Sequence, residues 1–110
     1  METEIMNIIV NAGNARSNCI KAMKLAIARD YEQAMTLYHE SKEALVVAHN
    51  TQTQLIQKEI NGNKNELTLL MIHAQDHLMD ALVMKDMTEL FLQESQTNYK
   101  KIKELEERLK

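Results

Sequence analysis

Four titratable side chains, His73, Asp76, His77 and Asp80, interrupt the otherwise apolar run "LLMIHAQDHLMDAL" at residues 69–82. Their spacing of three and four residues stacks them on successive turns if this run is a helix. With His73 set at zero and about 100° added per residue, His73, His77 and Asp80 fall between about −20 and 40°, and Asp76 falls near 300°. A neutral imidazole nitrogen is a nucleophile that titrates near physiological pH, so His73 is suited to accepting a group and passing it on. His77, one turn further, can donate a hydrogen bond to an oxyanion held there or pair with Asp80. Asp76 poses a different problem. It lies within an apolar stripe, Leu69, Ile72, Met79, Val83 and Leu90, at about 240 to 320°. A carboxylate in such a stripe must either take up a proton and hydrogen-bond, or share a cation with symmetry-related copies of itself. Carboxylate oxygens suit magnesium or another hard divalent cation on a symmetry axis, with water completing the shell.

The elements that must position these groups are helices. The chain has 110 residues, no proline and two glycines, a composition that favours uninterrupted helix within one small domain over residues 1–110. Apolar and small residues recur at helical spacing through Ile5, Ile8, Ile9, Ala12, Ala15, Cys19, Met23, Ala26 and Ile27, which predicts a first helix over about 3–29. Asp30 is placed to cap a second helix, with Gln33 three residues later as in a capping box. Its stripe, Ala34, Leu37, Tyr38, Ser41, Leu45, Ala48, Leu55 and Ile56, predicts a helix over 31–60 that stops at "NGNKN". Asn63 or Asn65 is then expected to cap a third helix over about 66–108, with Leu67, Leu70, Met71, Ala74, Leu78 and Ala81 as its core face. Short connections make consecutive helices antiparallel neighbours. The charged end "KKIKELEERLK" should overhang the bundle as a solvated extension.

The third helix therefore presents two apolar stripes where its own bundle needs one, and a second stripe implies a second partner. Composition also excludes several functions. A net charge of −3 without a basic face, and aromatics at 4%, argue against nucleic-acid binding. The run "IIV" at 8–10 is far too short for a membrane span or a secretory core, and the single Cys19 cannot form an internal disulfide, so a cytoplasmic protein without direct membrane insertion is expected. A di-metal bundle enzyme would carry Glu-x-x-His pairs on two helices, and the sequence contains none. A coiled-coil adaptor would account for the stripes but not for two histidines and two aspartates sharing one region of a helix.

"HAQDHLM" at 73–79, together with "AGNARS" at 12–17 and "AHNTQTQLIQKEINGNK" at 48–64, closely resembles the lactose/cellobiose-type (chitobiose) IIA component of the bacterial phosphoenolpyruvate-dependent sugar phosphotransferase system. The likeness covers nearly the whole chain. It implies an all-α fold, an antiparallel three-helix bundle assembling as a homotrimer with nine helices in all. It implies a phosphocarrier in which one histidine, here His73, takes phosphate on its Nε2 (tele) nitrogen from the carrier protein HPr and hands it to the cognate IIB component. The membrane component IIC is then linked functionally, and a β-linked disaccharide of lactose, cellobiose or chitobiose type is taken up. The resemblance also implies that Asp76 is the metal-associated acid at the trimer centre.

Where many such proteins carry histidine before "AGNARS", this chain has Asn11, which leaves the phosphoacceptor on the third helix untouched. Arg16 interrupts the first stripe and could reach phosphate or pair with an acid, a structural ion pair being the favoured reading. Gln75, near 200°, faces away from His73 and is assigned to packing or a subunit contact. Met84, near 20°, is a candidate for partner docking, with plain core packing the favoured reading for a methionine at helical spacing. His39 and His49 read as ordinary surface residues.

Overall fold

The computed structural model describes residues 2–110, which form three helices and no strand: α1 (Glu2–Ile27), α2 (Tyr31–Ile60) and α3 (Leu69–Arg108). Each boundary has a local cause. Glu2 and Glu4 in the first turn of α1 and Lys24 in its last complement the helix dipole. The helix ends two residues before the expected position, in a Schellman turn: Arg29 N–H donates to Ala26 O at 2.9 Å and Asp30 N–H to Leu25 O at 2.9 Å. Arg29 takes the left-handed conformation usually left to glycine, with φ 65°, and its guanidinium lies 4.7 Å from the Tyr99 ring centre. Asp30 caps α2 as expected, accepting from Gln33 N–H at 3.3 Å.

α2 closes in a second Schellman turn on Gly62, φ 92°, where Asn63 N–H reaches Lys58 O at 2.8 Å. The start of α3 departs from the sequence reading. Neither Asn63 nor Asn65 caps it; Thr68 does, accepting from Met71 N–H at 3.1 Å. The Asn65 amide is drawn back to α2 instead, donating to Leu55 O at 2.8 Å and to Glu59 Oε1 at 3.2 Å. Glu66 and Leu67 therefore lie outside the helix, and Leu67, expected in the core, is 81% exposed.

The core divides into two apolar clusters. One joins Ile5, Ile8, Ala12 and Ala15 of α1 to Leu45, Ala48 and Leu55 of α2 and to Met71, Ala74, Leu78 and Ala81 of α3. The other joins Ala22 and Ala26 to Ala34, Tyr38 and Leu92. Between them in sequence each helix contributes one fully buried polar or weakly polar residue: Cys19, Ser41 and Thr88. The Cys19 thiol donates to Ser41 Oγ at 3.4 Å, Ser41 to Tyr38 O at 2.7 Å and Thr88 to Met84 O at 2.7 Å, so this narrow polar waist is satisfied internally. Ile27 and Ile56, placed in the stripes by periodicity, are exposed.

α3, with 40 residues, outruns its partners, and residues 101–110 are exposed, as the sequence led us to expect. The base of this extension is fixed by Tyr31, whose hydroxyl donates to Ser95 O at 3.1 Å and whose ring lies 5.9 Å from that of Tyr99. The molecule is accordingly a rod of 69 × 20 × 19 Å. No helix among the described residues is long and apolar enough to cross a membrane.

One buried tie between α2 and α3 makes stability depend on pH. The Tyr38 hydroxyl donates to Glu89 Oε2 at 3.0 Å, and burial, then that hydrogen bond and the neighbouring negative charge push its pKa from 10.0 up to about 12. The folded state thus holds the phenolic proton more tightly than the unfolded chain does. Its contribution is complete below pH 10 and is lost as pH rises from there through about 12. Denaturation followed between pH 9 and 12 should show this loss in the wild type, and Tyr38→Phe should flatten it; an unchanged slope in the variant would remove Tyr38 as its cause.

Candidate functional site

The first turns of α3 carry the site. Met71, Ala74, Leu78 and Ala81 are buried against α1 and α2, which fixes the rotation of the helix. Given that rotation, His73, Asp76 and Asp80 are exposed and His77 is partly covered. The two histidines meet. Their Nε2 atoms lie 3.0 Å apart, and the rings stand edge-on, with centres 4.4 Å apart and planes at 88°. No hydrogen bond or ion pair joins His77 to Asp80 among the described residues, so His77 is committed to His73 and not to the acid one turn below.

Around His73 the surface is apolar and open, with Leu69 and Leu70 forming a shelf on its N-terminal side. From Leu69 to Met84, α3 contains no lysine or arginine. This stretch of α3 therefore places no permanent cation beside His73, whose Nε2 meets His77 instead.

The second apolar stripe is real and uncovered within one chain. Leu69, Ile72, Met79, Val83 and Leu90 are between 45% and 83% exposed, and Asp76 is exposed among them. Each chain supplies a single carboxylate there; no group of three or more metal-ligating side chains forms within one chain among the described residues.

The other residues singled out from the sequence fall as follows. Arg16 is exposed and no ion pair joins it to an acid among the described residues, so the expected structural pair is not formed. Asn11 is partly buried and donates to Asn7 O at 2.9 Å, while Asn7 Oδ1 accepts from Thr51 at 2.8 Å. Met84 is half-buried, whereas Met87 and Phe91, not singled out from the sequence, are the exposed residues near the same meridian of α3. Gln75 does face away from His73. Its Oε1 accepts from Gln52 Nε2 on α2 and its Nε2 lies 3.9 Å from Met71 Sδ. This tie between helices was missed because a pair across two helices depends on their register.

Residues 3–96 match the family described as PTS system, Lactose/Cellobiose specific IIA subunit. The chain belongs to this family. It is 48% identical over 87 residues to the lichenan-specific phosphotransferase enzyme IIA component of Bacillus subtilis (strain 168), covering 79% of each chain. The crystal structure of the PTS cellobiose-specific enzyme IIA from Bacillus anthracis superposes with a TM-score of 0.87 at 38% identity, over 91% of this chain and 92% of that one. The IIA(Chitobiose) of Escherichia coli, solved in solution as a complex with HPr, superposes with a TM-score of 0.76 at 31% identity, over 89% and 95%. This IIA component is thus a three-helix phosphotransferase-system protein of the lactose/cellobiose type, and "HAQDHLM" lies within the matched residues.

The Gln52–Gln75 tie predicts a measurable coupling. Replacing either glutamine by leucine leaves the other amide without its partner, while replacing both removes the mismatch. A double-mutant cycle in chemical denaturation should give a coupling of about 1 kcal/mol. A coupling of zero would mean that solvent satisfies both amides equally well in the folded protein.

Proposed function

We propose that this IIA component carries phosphate on His73 Nε2, taking it from HPr and delivering it to its cognate IIB component in the cytoplasm. The relay drives uptake, through the membrane component IIC, and phosphorylation of a β-linked disaccharide. The observation that carries this reading is the placement of His73: an exposed imidazole on a rotationally fixed helix, within "HAQDH", its Nε2 in contact with a second imidazole.

Transfer between histidines needs an in-line approach, a lone pair on the accepting nitrogen and donors around the phosphate oxygens, with little further chemistry from the protein. The chain supplies these economically. α3 holds His73 away from the core, the Leu69–Leu70 shelf gives a partner apolar surface to cover, and His77 supplies a donor. A small apolar footprint suits partners that must bind and leave in turn.

We further propose that the working form is a homotrimer assembled through the second stripe of α3. That stripe would bring three copies of Asp76 together in an apolar setting, where a divalent cation, magnesium by ligand chemistry, would hold them as a structural counter-ion. Phosphate transfer by His73 does not pass through it.

Incubation with phosphoenolpyruvate, enzyme I and HPr, followed by intact mass at alkaline pH, should show one phosphoryl group per subunit. His73→Gln should abolish it, whereas His39→Gln and His49→Gln should not; label persisting in the His73 variant would remove the central assignment. Asp76→Leu should remain a trimer, no less stable than the wild type and indifferent to chelator, because the substitution removes like-charge repulsion and adds apolar burial. Sedimentation of the wild type should show the trimer weakened by chelator. A wild-type trimer unaffected by chelator would point to protonated, hydrogen-bonded aspartates instead.

A further inference from the structure

Two neutral imidazoles whose Nε2 atoms face each other at 3.0 Å share one proton. If both nitrogens carried hydrogen, two donors would collide; if neither did, two lone pairs would. With both rings neutral, one ring of the His73–His77 pair carries its proton on Nε2 and the other on Nδ1. A free imidazole in water prefers Nε2–H, so the contact forces one of the two into its less favoured tautomer, set by the hydrogen bond it accepts.

The geometry points to His77 as a positioning residue for phosphoryl transfer: its Nε2–H donates to His73 Nε2 and holds His73 as the Nδ1–H tautomer, with the attacking lone pair on Nε2. This rests on His73 as the phosphoacceptor. The opposite direction, with His73 donating, would leave no lone pair on the nitrogen that must bond phosphorus. His77 is suited to its part by position. It is one helical turn from His73, less exposed, and its ring stands edge-on to that of His73, so the N–H lies where the incoming group must arrive.

During transfer the hydrogen bond is exchanged and not simply broken. The P–N bond to the donor histidine breaks as the lone pair of His73 Nε2 forms a new P–N bond. The electron pair of the old bond stays on the donor imidazole, which takes a proton from solvent, while His73 releases its Nδ1 proton to solvent. The His77 proton is not consumed. It turns from the former lone pair to a phosphoryl oxygen, stabilising charge on a helix face without cations, and returns to His73 Nε2 when phosphate moves on.

Two measurements test this. Long-range proton–nitrogen correlations on 15N-labelled, unphosphorylated protein, with the imidazoles neutral, should show His73 as Nδ1–H and His77 as Nε2–H. Finding His73 protonated on Nε2 would overturn the inference, whatever the phosphorylation assay shows. In rapid-quench transfer from phosphorylated HPr, His77→Phe, which keeps a flat ring but has no donor, should slow the transfer step about 10- to 100-fold with little change in KM for HPr. His77→Gln, whose amide can donate to the same point, should recover most of that rate. Wild-type speed in the Phe variant, or a Gln variant as slow as Phe, would overturn the role given to His77 while leaving His73 as the acceptor. A wild type that takes no phosphate would remove the carrier reading itself.

Discussion

The fold depends on how closely the other two helices can approach α1. From Ala12 onward its buried positions are Ala12, Ala15, Cys19, Ala22 and Ala26, a line of small side chains that lets α2 and α3 approach its backbone closely. Because α1 serves both partners, the side-chain hydrogen bonds between α2 and α3 are few and discrete: Gln52 to Gln75, Tyr38 to Glu89 and Tyr31 to Ser95. α3 is left with its core face on the bundle and the rest of its circumference free. That freedom supplies both the face bearing His73 and the stripe bearing Asp76.

A phosphate relay asks for little else. The Leu69–Leu70 shelf beside His73 is open and not enclosed, which suits the proposed transfer between groups on two proteins. The demands fall on orientation, which α3 meets through a buried face on one side and an imidazole pair on the other. Placing the two histidines four residues apart on one helix keeps their geometry independent of any loop.

Periodicity made most of this legible in the sequence. The stripes of α1 and α2, the Asp30 cap and the solvated end of α3 all follow from local rules, and the column of His73 and His77 follows from a spacing of four. The start of α3 did not. Asn63, Asn65 and Glu66 form a plausible helix entry, and Thr68 stands before an apolar run just as well. The choice was settled by a bond from Asn65 to the carbonyl of Leu55, which exists only once α2 is in place. Arg16 misled for a related reason: a charge interrupting an apolar stripe invites a partner, yet the side chain simply turns to solvent. The family resemblance, carried by three segments in order, held where local reasoning alone would have stopped at an interfacial acid and a bordering histidine.

Alanine-lined helices carry a hazard of their own. Ala12, Ala15, Ala22 and Ala26 are nearly interchangeable, so over this part of α1 a slide by one turn would exchange one alanine contact for another, and only Ile5 and Ile8 would resist it by size. The contact between Cys19 and Ser41 makes the sliding helix distinguishable from the seated one. One turn out of register, the Cys19 thiol would leave the Ser41 hydroxyl and face apolar side chains. Two weakly polar atoms, contributing little to cohesion, thus act as a vernier mark: together with Ile5 and Ile8 they set where along the rod α1 stops.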